Sequence, residues 1–235
     1  MKAKILLIVE GEKEETRILG NNAHGLLKLI DADYEIVPFS NPIYELYDLY
    51  KKGEYDDIVQ FLRFTRGLKI PSSVLSKNAF SAIYLIFDFD PHYQKYSDDV
   101  IKDIINVFND ETENGKVYIN YPMVEAFYHL NNLPDSEFYD RVISLDGLTG
   151  DKYKRIVNEE SVIKKNKISN YILRLIIKAN YEKARRMVCD NEVSQEAILE
   201  KQIEMKNKIN KIYVLSTFPF IVIDYNNDII DELWL

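Results

Sequence analysis

The apolar positions along this chain follow two rhythms. Short unbroken runs such as Ile5-Leu-Leu-Ile-Val9 and Ala82-Ile-Tyr-Leu-Ile-Phe87 lie between stretches in which Leu, Ile and Phe recur at three- and four-residue spacing. The runs read as strands buried on both faces of a parallel sheet, and the periodic stretches as helices packed against it. On this reading Lys4 to Glu10 is a strand, residues 12–30 form a helix interrupted at Gly20 and Gly25, and Tyr34 to Phe39 is a second strand. One or two helices follow over residues 43–66, broken near Gly53, with Leu46, Leu49, Ile58, Phe61 and Leu62 at helical spacing. Residues 71–78 form a loop, Ala82 to Phe87 a further strand, and residues 98–108 a helix striped by Val100, Ile101, Ile104, Ile105 and Phe108. Val117 to Asn120 is a short strand. Pro122 opens a helix whose first turn carries Glu125, because the missing N–H of a proline has no partner there in any case.

After about Asn131 the pattern becomes helical and strongly charged through Lys211. Ile172, Leu175, Ile176 and Ala179 mark one amphipathic helix, and Val193, Ala197, Leu199 to Ile203 and Lys206 another. Residues 212–225 return to apolar character around Pro219 and read equally as a terminal strand or a buried helix. The alternation of strands and helices predicts an α/β fold. It divides into a core over residues 1–131, a charged helical subdomain over 132–211, and an apolar segment over 212–235 that packs back on the core.

Charge changes the picture at one point. The chain has 235 residues and a net charge of −8, which by itself speaks against a polyanionic partner. Residues 151–211, however, hold 15 Lys and Arg against 9 Asp and Glu, which leaves 15 against 29 for the rest. A basic segment therefore sits beside an acidic body. A charge run is commonly a solvated helix face, but this one also suits a phosphate backbone, with the clusters at Lys164, Lys165 and Lys167 and at Lys183, Arg185 and Arg186 as contacts. The single Cys189 excludes an intramolecular disulfide and a cysteine-rich zinc site. The first apolar run is too short for a secretory leader, and no stretch approaches the ~20 apolar residues of a membrane span, so the expected location is the cytoplasm.

The candidate chemistry lies where two apolar runs end in carboxylates: Val9-Glu10-Gly11-Glu12 and Asp88-Phe89-Asp90. In open α/β sheets the carboxyl ends of the strands hold ligands. Carboxylates that meet there from different strands repel one another unless a cation lies between them, and a divalent ion with oxygen ligands is the usual answer.

These residues resemble the Toprim family of nucleases and topoisomerase or primase catalytic domains, which carry Glu-Gly after a first strand and Asp-x-Asp after a later one. Within that superfamily the pattern is similar to the overcoming-lysogenization-defect (OLD) nucleases, the RloB-like proteins and the Toprim effector of the PARIS defence system. Tyr121-Pro-Met-Val-Glu125 matches their Pro-x-x-Glu segment. The resemblance spans residues 2–130 and implies a Toprim-like parallel sheet with a helical insertion in the C-terminal half. It implies that Glu10, Glu14, Asp88 and Asp90 bind one or two Mg²⁺ or Mn²⁺ ions and that Glu125 is a further catalytic carboxylate. The implied reaction is hydrolysis of phosphodiester bonds in RNA, tRNA among them, or in DNA, as an effector of anti-phage defence. A separate ABC- or SMC-type ATPase is an implied partner, because this chain has no G-x-x-x-x-G-K-[ST] loop. OLD-type enzymes also use a downstream lysine, which falls among the lysines from Lys164 to Lys183.

Two other classes fit parts of the pattern. A haloacid-dehalogenase-like phosphatase would use Asp88 as nucleophile and Asp90 as acid/base and would leave Glu10 without a role. A Toprim-like module that only binds partners would need none of the carboxylates. Glu14 and Glu125 also suit the first turn of a helix on electrostatic grounds alone. His92, two residues past Asp90, is a candidate general acid or phosphate contact, whereas His24 and His129 have no partner pattern. Apolar faces on the charged helices would permit a homodimer.

Overall fold

Strand β1 (Lys4–Val9) contributes five consecutive residues, Ile5 to Val9, with no exposed surface, and strand β3 (Ala82–Asp88) is buried from Ala82 to Phe87. A strand apolar on both faces is stable only where both faces are covered, which places these two at the centre of a parallel sheet. The computed structural model describes residues 4–11, 19, 25–30, 32–68, 70–74, 76–164, 168–189 and 193–225. In it β1 lies between β2 (Asp33–Pro38) and β3, with β5 (Gly115–Tyr121) beyond β3, and all three pairings are parallel. The outer edge of β5 is shared. Strand β4 (Asn109–Asp110) pairs antiparallel with its beginning, and β8 (Leu215–Ser216) pairs antiparallel with its end.

Helices α1 (Ile43–Lys52) and α2 (Ile58–Phe64) connect β2 to β3, and α3 (Asp98–Val107) follows β3. The C-terminal half supplies α4 (Gly150–Glu160), α5 (Asn170–Val188), α6 (Gln195–Ile209) and the short α7 (Ile221–Tyr225). Starts and stops follow local chemistry. The side chains of Asp57, Ser97, Thr149, Ser169 and Ser194 each accept a backbone N–H from the first turn they precede. Cys189 and Asn210 end α5 and α6 in the left-handed conformation.

The molecule is thus α/β, with a mostly parallel sheet flanked by helices. Buried side chains from the sheet and from α4, α5 and α6 form one contiguous core. Among the described residues no helix is long and apolar enough to cross a membrane.

Three expectations need correction. The chain after Pro122 does not enter an α-helix; it makes a 3₁₀ turn, Val124–Tyr128, with all five residues buried. The carbonyls that a continuing helix would use are taken by other elements: Phe127 O accepts from Asn180 Nδ2 (3.3 Å), Tyr128 O from Ser161 Oγ (2.6 Å) and Leu130 O from Val162 N (2.9 Å). The charged region is not wholly helical, because β6 (Val142–Ser144) pairs antiparallel with β7 (Lys211–Tyr213). Residues 212–225 are neither one strand nor one helix. They pass through β7 and β8 into a 3₁₀ turn, Phe218–Phe220, that holds Pro219, and end in α7. Most of the helix expected over residues 12–30 lies outside the described residues; within the described part, Leu26–Leu29 forms a 3₁₀ turn.

Candidate active site

The chain runs from β1 outward to β2, then crosses back over β1 to β3. The order therefore reverses between β1 and β3, and at their carboxyl ends the outgoing segments diverge and leave a crevice, the usual ligand position in such sheets. Glu10 leaves β1 at this point. Its backbone is clamped on both sides, Glu10 N donating to Ile86 O (3.1 Å) and Glu10 O accepting from Ser40 N (2.8 Å). Its carboxylate reaches across the crevice, where Oε2 accepts the N–H of Asp88 at 3.0 Å.

Beyond Asp88, the fully buried Phe89 anchors the turn. Its N–H donates to Asn120 O and Pro122 O, and its carbonyl accepts from the Tyr44 hydroxyl. Asp90 follows at φ 30, a positive value that an aspartate tolerates better than most residues, and its carbonyl accepts from Tyr93 N at 3.1 Å. Burying Phe89 turns both flanking aspartates toward one space. Glu10, Asp88, Asp90 and His92 line the same cavity, of about 170 Å³. Loss of water around Asp90 pushes its carboxyl above the usual range, opposed by His92 beside it.

The opposite wall comes from the C-terminal half: Leu145, Leu148, Thr149 and Gly150 lead into α4, whose Tyr153 completes it. His92 Nε2 lies 3.0 Å from Leu145 O. A carbonyl can only accept, so Nε2 carries the proton in this contact. Thr149 and Gly150 are the N-cap and first residue of α4, which brings the positive end of a helix dipole to the cavity.

The other sequence candidates are placed differently. Glu14 lies outside the described residues. Glu125 is buried but does not line the cavity; it stands in ion-pair range of Lys154 (3.9 Å) and acts electrostatically on the Tyr153 hydroxyl. Lys183 is no surface contact for a phosphate. It is fully buried, and Nζ donates to Phe138 O and Arg141 O, both at 2.7 Å. Lys165 and Lys167 lie outside the described residues.

Sequence reasoning missed the wall from Leu145 to Tyr153. The signal present was the cap residue Thr149 before Gly150. It also missed the support behind that wall, where the buried His129 bridges the Tyr153 hydroxyl (Nδ1, 3.0 Å) and Glu160 (Nε2, 3.0 Å). Burial holds the His129 imidazole below its ordinary pKa, against the pull of Glu160 and with the help of Arg141 and Lys183.

Among the described residues no three His, Cys, Asp or Glu side chains stand close enough together to hold a metal ion by themselves. Mg²⁺ needs less than that, since it binds through one or two carboxylates, several waters and the phosphates of its substrate. One or two carboxylates among Glu10, Asp88 and Asp90, which line one cavity, fit that requirement. Comparison of the chain with protein-family models, curated proteins and solved structures finds no match.

Proposed function

We propose that this chain is a metal-dependent nuclease of the Toprim type that hydrolyses phosphodiester bonds in RNA or DNA. The observation that carries the reading is the convergence of Glu10 from β1 with Asp88 and Asp90 from β3 on one cavity at the switch point, Glu10 accepting the Asp88 N–H. One or two of Glu10, Asp88 and Asp90 would hold the Mg²⁺ or Mn²⁺, with water and the substrate phosphate completing its shell. The ion supplies Lewis-acid activation of water and neutralises charge on the phosphoryl group. The chain's own contribution is positional. The sheet fixes the Glu10 backbone, Phe89 fixes the two aspartates, and the N-terminus of α4 offers backbone N–H groups at the facing wall, where an anionic oxygen is favoured.

The test is cleavage of total tRNA, single-stranded DNA and plasmid DNA with Mg²⁺ or Mn²⁺, comparing the wild type with Glu10→Ala and Asp88→Ala. Loss of metal-dependent cleavage in both variants supports the proposal. Phosphatase activity that survives Glu10→Ala assigns the chain to the haloacid-dehalogenase-like class. No divalent-ion binding and no hydrolysis would leave a non-catalytic module.

A further inference from the structure

The cavity has an acidic floor and an apolar flank, and the nuclease reading gives the flank no role. Apart from His92, Thr149 and Tyr153, the remaining surface is apolar: Pro91 and Pro122 flank the aspartates, and Met123 and Leu148 stand half-buried with hydrocarbon open to the space. Met123 reaches across it, for its Cε lies 3.5 Å from where a side chain on Gly150 would begin. A site that handled only phosphate and metal would gain nothing from hydrocarbon walls, because ions and their waters are better served by polar groups.

Size restricts what enters. The volume of about 170 Å³ lies below that of sites for drug-sized ligands. It is close to the volume of roughly 150 Å³ that accepts a benzene ring in an engineered apolar cavity. That volume includes the acidic floor, so at most one planar ring enters, lying along the apolar flank.

We infer that the apolar side of the cavity is a nucleobase subsite, so that the nucleotide at the scissile phosphate enters with its base unstacked and the substrate is single-stranded RNA or DNA, a loop or an end. The inference rests on the proposed nuclease activity and adds the substrate class. In a duplex each base is paired and stacked, and no base reaches a one-ring cavity walled by Leu145 to Gly150 without being extruded. Single strands present bases freely, and flat apolar surfaces bind them with little regard to sequence. The exposed Lys152 and Arg155 on the first turns of α4 lie next to the cavity wall, where they meet the phosphates of adjoining nucleotides.

The test is fluorescence anisotropy with a short labelled RNA strand, a DNA strand and a blunt duplex of the same sequence. Ca²⁺ replaces Mg²⁺ to limit turnover. The variants are Leu148→Trp, which fills the subsite, and Met123→Ala, which removes part of its wall; both positions are partly exposed and tolerate substitution. Single strands are expected to bind at least tenfold more tightly than the duplex. Each variant should weaken single-strand binding by about tenfold, the scale of one lost base-stacking contact, and leave duplex binding unchanged. Circular dichroism identifies a misfolded variant, in which case the other decides. Equal or tighter duplex binding overturns the subsite, as does single-strand affinity that the folded variants leave intact. If the wild type cleaves duplex efficiently, the nuclease reading stands and the subsite falls; if it neither binds nor cleaves any nucleic acid, the nuclease reading itself falls.

Discussion

Replacing Lys183 with methionine tests the placement of a lysine that the sequence offers as catalytic. Nζ is fully buried and donates twice, to Phe138 O and Arg141 O. Burial depresses the pKa first, and Arg141 depresses it further, against the opposing charges of Asp140 and Asp135. A folded pKa held below the ordinary value near 10.4 costs the fold stability at neutral pH, about 1.4 kcal/mol for each tenfold weakening of proton binding. The substitution removes two hydrogen bonds worth about 1–3 kcal/mol together. It strands neither carbonyl, since Phe138 O keeps Arg141 N at 3.1 Å and Arg141 O keeps Val214 N at 3.0 Å. Methionine has similar length, and its sulfur packs well near the Phe138 ring, which now lies 4.6 Å from Nζ. Lys183→Met is therefore expected to stabilise the fold by about 1–2 kcal/mol at pH 7, or ~2–8 °C in Tm. The sign should reverse near pH 10. A lysine with a depressed folded pKa gains stability as pH rises toward 10.4, where the unfolded chain gives up its proton too. Urea unfolding at both pH values reads this directly. A loss of several kcal/mol that is the same at pH 7 and pH 10 would refute the reasoning, and loss of metal-dependent cleavage in a stable variant would refute the structural placement of Lys183.

Four further outcomes are expected. Glu10→Gln keeps an acceptor for the Asp88 N–H but removes the charge, so circular dichroism should show a folded protein while metal-dependent cleavage falls by at least ~100-fold, the range of a lost charge-stabilising group. Gly115 sits at φ 93, and an added Cβ would lie 2.5 Å from Leu85 Cδ1, so Gly115→Ala should cost about 2–3 kcal/mol in chemical denaturation. His129 is held neutral by burial, so the unfolded chain takes up its proton near pH 6.5 before the folded one does; stability should fall as pH drops through that window, more steeply than in His129→Gln. Thr149→Ala removes the acceptor for Lys152 N and should cost about 1 kcal/mol in thermal melts.

The sheet and the acidic floor were legible because they depend on local patterns. An unbroken apolar run admits few readings besides a strand covered on both faces, and β1, β2, β3 and β5 begin and end within three residues of their expected bounds. Glu10, Asp88 and Asp90 follow from those strands, since a carboxylate after a buried run falls at the sheet's carboxyl edge. The facing wall was not legible, because nothing local ties Leu145 to His92, some fifty residues earlier. The 3₁₀ turn at Glu125 escaped notice for a similar reason: its carbonyls are claimed by Ser161, Val162 and Asn180. Strands of three residues such as β6 and β7 carry too little pattern to detect. Lys183, expected as a surface phosphate contact, carried a signal in the sequence against that reading. It lies three residues after Asn180 and seven after Ile176, both on the buried stripe of α5, so helical spacing alone places it inward.

Electrostatics bears on the readings of the site. Glu10 rests its carboxylate against the peptide that carries Asp88, so an incoming phosphate meets negative charge from two strands. A haloacid-dehalogenase-like phosphatase needs the β3 aspartates and gives Glu10 no role, so its activity would survive the loss of Glu10. A binding module would shed such charges, because like carboxylates brought together in a partly dry cavity destabilise the fold and Asp90 already resists ionisation there. With a divalent cation at the floor, the same charges become ligands and the repulsion of the phosphate is removed. On the proposed nuclease reading the far wall adds to this: the N-terminus of α4 presents the positive end of its dipole, which would favour a phosphoryl group bound at the floor.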